Sequence, residues 1–245
     1  QASNTVWMHC SSLGEFEQGR PVLEEIRALY PQYTYVITFF FPSGYEVPKN
    51  YKGADHIFYL PMDSAANARL LTDILRPKLV LWVKYDYWYY YLTELKSPGI
   101  PLLLLRGVFT KQQAFFKWYG FLQRTMLQCI THFFVQTDLS EELLKSLGIQ
   151  EVTTSGDTRF DRVIEIAGKA EPVEGIDAFC GDHPVIVAGS TWKEDEEELD
   201  HFANTHPELR FIIAPHEVDE PRIKEVEGLF VNTVRYSQIN SQNNA

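Results

Sequence analysis

Short apolar runs alternate with amphipathic stretches almost from end to end, and this rhythm constrains the chain more than any other feature. Residues 6–10, 34–40, 56–60, 79–83, 101–105, 132–136 and 152–155 are rich in β-branched and aromatic side chains. Gly, Pro or polar clusters bound them, as expected of strands. Between them, residues 18–29, 64–75, 87–95, 111–127, 140–147 and 160–167 read as helices. In the first of these, Val22, Leu23, Ile26 and Leu29 recur at helical spacing, and Pro21 sits near the expected start. The run from Leu79 to Val83 is apolar on both faces, which suits a strand inside a parallel sheet covered by helices. Repeated units of this kind predict an α/β fold of the doubly wound type.

The rhythm breaks at residues 168–184, where Gly, Pro and charged residues collect as in an interdomain linker. A second series follows, with strands at 185–188, 210–214 and 229–234, helices at 193–203 and 220–227, and a polar tail at 237–245. The expected organisation is an N-terminal domain (1–167), a linker (168–184) and a second, truncated domain (185–245), because two strand–helix units and one strand make a poor sheet by themselves. A length of 245 residues and 45% apolar content allow a real core. Lys and Arg total 22 against 33 Asp and Glu, a net charge of −11, which argues against nonspecific nucleic-acid binding. Cys10, Cys129 and Cys180 form no CxxC pair, which fits a reducing compartment better than a disulfide scaffold. No apolar run reaches the 18 or so residues of a spanning helix.

In open parallel sheets ligands bind beyond the carboxyl ends of the strands, so the turns there hold the candidate chemistry. The first such turn, His9-Cys-Ser-Ser-Leu-Gly-Glu15, lacks the GxGxxG of a dinucleotide site. It offers Glu15, either a general base or a first-turn carboxylate complementing the helix dipole. The turn after the fourth strand carries Asp86 among aromatics, either a sugar-binding carboxylate or a helix N-cap. Gly189-Ser-Thr-Trp192 opens an acidic helix, where Thr191 and Glu194 fit a capping box and free amides could hold a phosphate. His216 follows the next strand and is a candidate donor to an anionic ligand or a structural histidine. Arg159 and Arg162 could meet an anion or pair with Asp157 and Asp161. Residues 111–128 interleave Lys111, Lys117 and Arg124 with aromatics and carry no acidic residue, as either a membrane-interface helix or a core helix with a cationic rim would. No Cys/His cluster has metal-ligand spacing, and no GxSxG or Walker loop occurs.

Several motifs occur in one order: Ser12-Leu-Gly14-Glu15 with Arg20-Pro21, Arg76-Pro77-Lys78, Tyr85-Asp86-Tyr-Trp88, Gly156-Asp-Thr-Arg159-Phe-Asp161, Gly189-Ser-Thr-Trp192, and Ala214-Pro-His216-Glu217. In that order they resemble the 3-deoxy-D-manno-octulosonic acid (Kdo) transferases of lipopolysaccharide assembly, over nearly the whole chain. The resemblance implies a GT-B glycosyltransferase with two Rossmann-like domains facing across a cleft. It implies transfer of Kdo from CMP-Kdo to a lipid A precursor at the cytoplasmic face of a Gram-negative inner membrane. The expected chemistry inverts the anomeric centre and uses neither a metal nor another cofactor. The implied roles are Glu15 as catalytic base; Ser12, Gly14 and Asp86 at the acceptor; Arg159, Ser190, Thr191 and His216 at the donor; and Phe115, Phe116, Lys117 and Trp118 toward the membrane. The family usually has Glu where this chain has Asp86, and often Pro-Arg-His where it has Ala-Pro-His216. The family's later Gly-rich donor motif has no counterpart in these residues, so the chain is expected to be a fragment with little activity alone. The rival expectations are a non-catalytic lipid-docking module and a GT-B enzyme using another nucleotide sugar.

Overall fold

A computed structural model describes residues 4–46, 48–84 and 86–239. The chain divides into two compact units, Gln1–Gly168 and Lys169–Ala245.

The first unit is built on seven strands: β1 (Thr5–Cys10), β2 (Thr34–Phe39), β3 (His56–Tyr59), β4 (Pro77–Val83), β5 (Leu102–Gly107), β6 (His132–Val135) and β7 (Val152–Thr154). Its helices are α1 (Leu13–Leu29), α2 (Pro42–Glu46), α3 (Ala65–Leu75), α4 (Tyr89–Lys96), α5 (Phe121–Leu127), α6 (Asp138–Ser146) and α7 (Thr158–Gly168). Every ladder is parallel and the strand order is β3-β2-β1-β4-β5-β6-β7. Alternate residues of each strand point to opposite sides, and both sides are covered. Trp7, Val80, Trp82, Leu104 and Phe133 enter one apolar cluster, whereas Met8, Ile37, Leu81 and Leu105 enter the other. This is the doubly wound α/β architecture that the apolar runs predicted.

Helix α1 differs from its expected form. It begins at Leu13, directly after the β1 turn, and Pro21 lies inside it rather than near its start. Extended Ser12 supplies the cap, and burial of Phe16, Gly19 and Leu23 against the sheet outweighs the missing proline N–H. The contact is closest at Gly19, where a Cβ would stand 2.8 Å from a Val83 methyl and 3.0 Å from the Met8 sulfur.

Residues 111–127 are not one helix. They form a turn with a single 3₁₀ segment, Ala114–Phe116, and then α5. Gly120 makes this fold-back possible, since a Cβ there would lie 1.8 Å from the Ala114 carbonyl oxygen. The Arg124 guanidinium holds the turn, donating to the carbonyls of Lys117 at 2.8 Å and Phe115 at 3.2 Å. Phe115 is consequently 6% exposed and packs on Tyr87 and Phe109. That corrects its expected membrane-facing role. Phe116 and Lys117 are half-buried, whereas Trp118 is 91% and Phe121 76% exposed. The exposed apolar ridge therefore runs over Trp118, Tyr119, Phe121 and Leu122.

The second unit holds α8 (Ile176–Cys180), β8 (Val185–Thr191), α9 (Lys193–Thr205), β9 (Arg210–Pro215) and α10 (Glu220–Leu229), with β8 and β9 parallel. The short α8 lies within the stretch read as linker. The strand expected at 229–234 does not form. Asn232 takes a left-handed φ of 58°, and the Asn204 side chain accepts from Val231 N–H at 2.7 Å and donates to the Leu229 carbonyl at 2.9 Å. These bonds hold the segment as a turn beside α9. With two strands the sheet stays thin, and among the described residues of this unit only Thr191, Glu196 and Val226 are buried.

The tight seat of α1 makes a testable demand. Gly19→Ala should destabilise the chain by about 1–3 kcal/mol in chemical denaturation, because the added methyl overpacks the β1–β4 surface.

Candidate active site

Between β1 and β4 the strand order reverses. The chain leaves β1 toward β2 and β3 on one side, then returns to lay β4 on the other. Connections diverging from adjacent parallel strands leave a crevice at their carboxyl ends. Glu15, in the first turn of α1 directly after β1, and Asp86, in the turn after β4, both lie at this edge of the sheet.

Glu15 is half-buried in the first turn of α1. Its Oε2 accepts from the backbone N–H of Ser11 at 2.6 Å and of Ser12 at 3.1 Å. It thus meets the helix-start role considered from sequence, but Oε1 takes part in neither bond. Burial pushes its carboxyl above the ordinary range. The Ser11 N–H opposes this, the like charge of Asp86 adds to it, and the Ser12 N–H and Lys84 pull it down. Asp86 is half-buried too, and burial raises its carboxyl. It does not cap α4: the cap position is Trp88, and Asp63 accepts from Tyr90 N–H and Tyr91 N–H, both at 3.2 Å. The N-cap reading of Asp86 is thereby overturned, and its like charge acts on Glu15. Gly14 is exposed, with nothing within 4 Å of a notional Cβ. Phe40 and Trp88 are half-buried and in contact, their ring centroids 4.7 Å apart.

Lys84 and Arg106 both hold left-handed φ values of 62° at the carboxyl ends of β4 and β5. Non-glycine residues in that region cost energy, and they gather where a backbone must present a site. Arg106 was not singled out from sequence. It is 2% exposed and pairs with Asp157, in the turn that leads into α7. Arg106 lies in a leucine-rich strand, so only this turn, folded against it, discloses the pair. The side chain of Arg159 lies outside the described residues.

In the second unit, a bulge between Gly189 and Thr191 puts Ser190 at φ 59°. Its hydroxyl lies 2.8 Å from His216 Nδ1, and the Trp192 ring stacks on His216 at 4.4 Å. The family resemblance put Ser190 and His216 at one donor site; the structure sets their side chains in contact and adds Trp192. Thr191 turns inward: its buried hydroxyl donates to Glu196 at 2.7 Å, and Glu196 pairs with Arg222. This corrects the expectation of a ligand-facing Thr191 hydroxyl. It also corrects the Thr191–Glu194 capping box, because α9 starts at Lys193 and Asp195 accepts the Trp192 N–H at 2.9 Å. Among the described residues, no group of three or more His, Cys, Asp and Glu side chains is placed to hold a metal. No helix among them is long and apolar enough to cross a membrane.

A carboxyl raised by burial opposes folding once it ionises. Glu15→Gln keeps an acceptor for the two N–H groups, so its thermal stability should exceed wild type above the carboxylate range. The difference should vanish as acidification protonates Glu15, and pH-dependent melting curves read this directly.

Residues 1–162 match the family described as 3-deoxy-D-manno-octulosonic-acid transferase (kdotransferase). A bifunctional glycosyltransferase/methyltransferase of Fusobacterium nucleatum is 27% identical over 96% of this chain and 38% of that protein. The 3-deoxy-D-manno-octulosonic acid transferase of Haemophilus influenzae is 24% identical over 86% of the chain and 51% of its own length. The chain therefore spans about half, or less, of the length of these relatives. Among solved structures, UDP-GlcNAc 2-epimerase from Neisseria meningitidis superposes with a TM-score of 0.65 at 16% identity, covering 95% of this chain and 73% of that one. Acinetobacter baumannii MurG superposes with a TM-score of 0.52 at 11% identity over 94% and 63%. These likenesses carry the fold alone, a Rossmann-like α/β fold of the kind found in GT-B glycosyltransferases. With the family match covering most of its length, the chain belongs to the 3-deoxy-D-manno-octulosonic acid (Kdo) transferase family.

Proposed function

We propose that this chain supplies the acceptor side, and the beginning of the donor side, of an inverting transfer of Kdo from CMP-Kdo to a lipid A precursor. The observation that carries the reading is Glu15: a half-buried carboxylate at the β1–β4 switch point, with one oxygen held by two backbone amides. In the proposed step an acceptor hydroxyl oxygen attacks the anomeric carbon of Kdo. The bond from that carbon to the phosphate oxygen breaks, and its electron pair leaves with CMP. Glu15 takes the hydroxyl proton on Oε1. Burial and the neighbouring Asp86 make Glu15 a stronger base than a solvated carboxylate. A phosphate leaving group needs little acid help, and no step is routed through a metal. Ser12, Gly14 and Asp86 line the acceptor's approach.

On the donor side, Ser190 and His216 are assigned to the anionic donor, beside the first amides of α9. The acidic start of that helix looks hostile to a phosphate, but three of its carboxylates are engaged elsewhere. Asp195 caps the helix, Glu196 pairs with Arg222, and Glu197 lies 3.8 Å from Lys193. Arg159 is assigned to donor binding from the family motif. Thr191 supports the turn from inside. The exposed ridge of Trp118, Tyr119, Phe121 and Leu122 supports contact with the cytoplasmic face of an inner membrane, where aromatic rings sit well at the headgroup level. The same ridge favours, as a second reading, a lipid-docking module without catalysis.

In the full-length protein with CMP-Kdo and lipid A precursor, Glu15→Ala should lower kcat/KM about 10²–10⁴-fold. Comparable turnover by both proteins would remove Glu15 as the base, and a panel of CMP- and UDP-sugars identifies the donor. Trp118→Asp and Phe121→Asp should each release the chain from anionic phospholipid vesicles in co-sedimentation. Unchanged sedimentation would remove the membrane contact.

A further inference from the structure

Three adjacent strands carry a row of polar-tipped side chains beneath the switch point. In register, Thr38 of β2 lies beside His9 of β1, and His9 beside Trp82 of β4. The Thr38 hydroxyl oxygen accepts the indole N–H of Trp7 at 2.9 Å and lies 2.9 Å from His9 Nδ1. The His9 ring rests against Trp82 at 4.4 Å, and Trp7 meets Trp82 edge-on at 5.8 Å. All three rings are wholly buried. Trp82 is enclosed in this packing, and its Nε1–H donates to the backbone carbonyl of Asp86 at 2.5 Å. That bond spans the left-handed turn at Lys84, where the β ladder has ended.

We propose that Trp82 is a positioning residue, which fixes the turn after β4 so that the Asp86 carboxylate stands beside Glu15. The inference deepens the reading of Glu15 as the working base and rests on it. Burial holds the His9 imidazole neutral, with its pKa lowered to about 3, so the row delivers rigidity to the crevice without adding a positive charge. Without the indole N–H, the Asp86 carbonyl loses its protein donor and turns to water, and the side chain moves with it. The groups acting on Glu15 are Asp86, Lys84 and the amides of Ser11 and Ser12, with the buried Cys10 thiol, held protonated, close by. Of these, Asp86 accepts directly from Trp82; Lys84 lies within the turn that bond spans, and its effect on Glu15 is smaller than that of Asp86.

The test is a carboxyl titration of the 245-residue chain by carbon-13 NMR. Trp82→Phe keeps an aromatic ring and removes only the donor. It should lower the Glu15 midpoint by about half a pH unit, because a like charge has moved away, and lower the Asp86 midpoint as its turn becomes solvated. Asp86→Asn should lower the Glu15 midpoint in the same direction, and the double variant should add nothing further. A Glu15 midpoint that stays at the wild-type value in Trp82→Phe, or in Asp86→Asn, overturns the proposal. Should Trp82→Phe not fold, the wild-type indole decides: a Trp82 N–H with the temperature coefficient of the exposed Trp118 N–H would overturn it as well. None of these readings depends on transferase activity, so they stand apart from the loss or survival of turnover in Glu15→Ala.

Discussion

Adjacent strands β1 and β4 share a parallel ladder, yet their connections run off to opposite sides of the sheet. The rest of the molecule's chemistry depends on this one divergence. It opens a crevice at the carboxyl edge without breaking the sheet below, so residues from two distant connections share one edge above a rigid floor. That floor is apolar on both faces, with Trp7, Trp82 and Leu104 on one side and Met8, Ile37 and Leu81 on the other. Rigidity comes from this double burial. A sheet with one wet face would let the turns drift.

Above that floor the crevice holds opposed influences in balance. Burial and Asp86 raise the Glu15 carboxyl, while two amides and Lys84 restrain it. A fully solvated carboxylate would be a weaker base, and without its amide partners this one would be raised further. The helix that carries Glu15 is seated through Gly19 against Val83 and Met8, so the position of the base depends on a contact one turn below it. Left-handed Lys84 and Arg106 show backbone energy spent at this same edge of the sheet.

The second unit applies the same device with fewer parts. A bulge lifts Ser190 toward His216, while Thr191, one residue on, faces the interior and is held by buried Glu196 and Arg222. Outward and inward residues alternate along a strand, and the bulge decides which of two neighbouring hydroxyls becomes available. The Kdo transferase family match covers the first unit, and the polar cluster of the second lies beyond it.

The period of the apolar runs determined the strands, most helices and the doubly wound class, because burial on both faces of a parallel sheet leaves a pattern local in sequence. Glu15, Asp86, Ser190 and His216 were legible as candidates for the same reason: each follows a run that can only be a strand. Which of them meet was not legible, since strand order and side-chain direction arise from contacts between segments far apart in the chain. Tertiary structure alone buried Phe115 and left Trp118 exposed, turned Thr191 inward, and freed Asp86 from capping by using Asp63 instead. It also replaced the expected last strand with a turn held by Asn204. In most of these cases a partner distant in sequence took a hydrogen bond or a packing site that local pattern had assigned elsewhere. Periodicity records which residues must be buried; only the folded chain decides against whom.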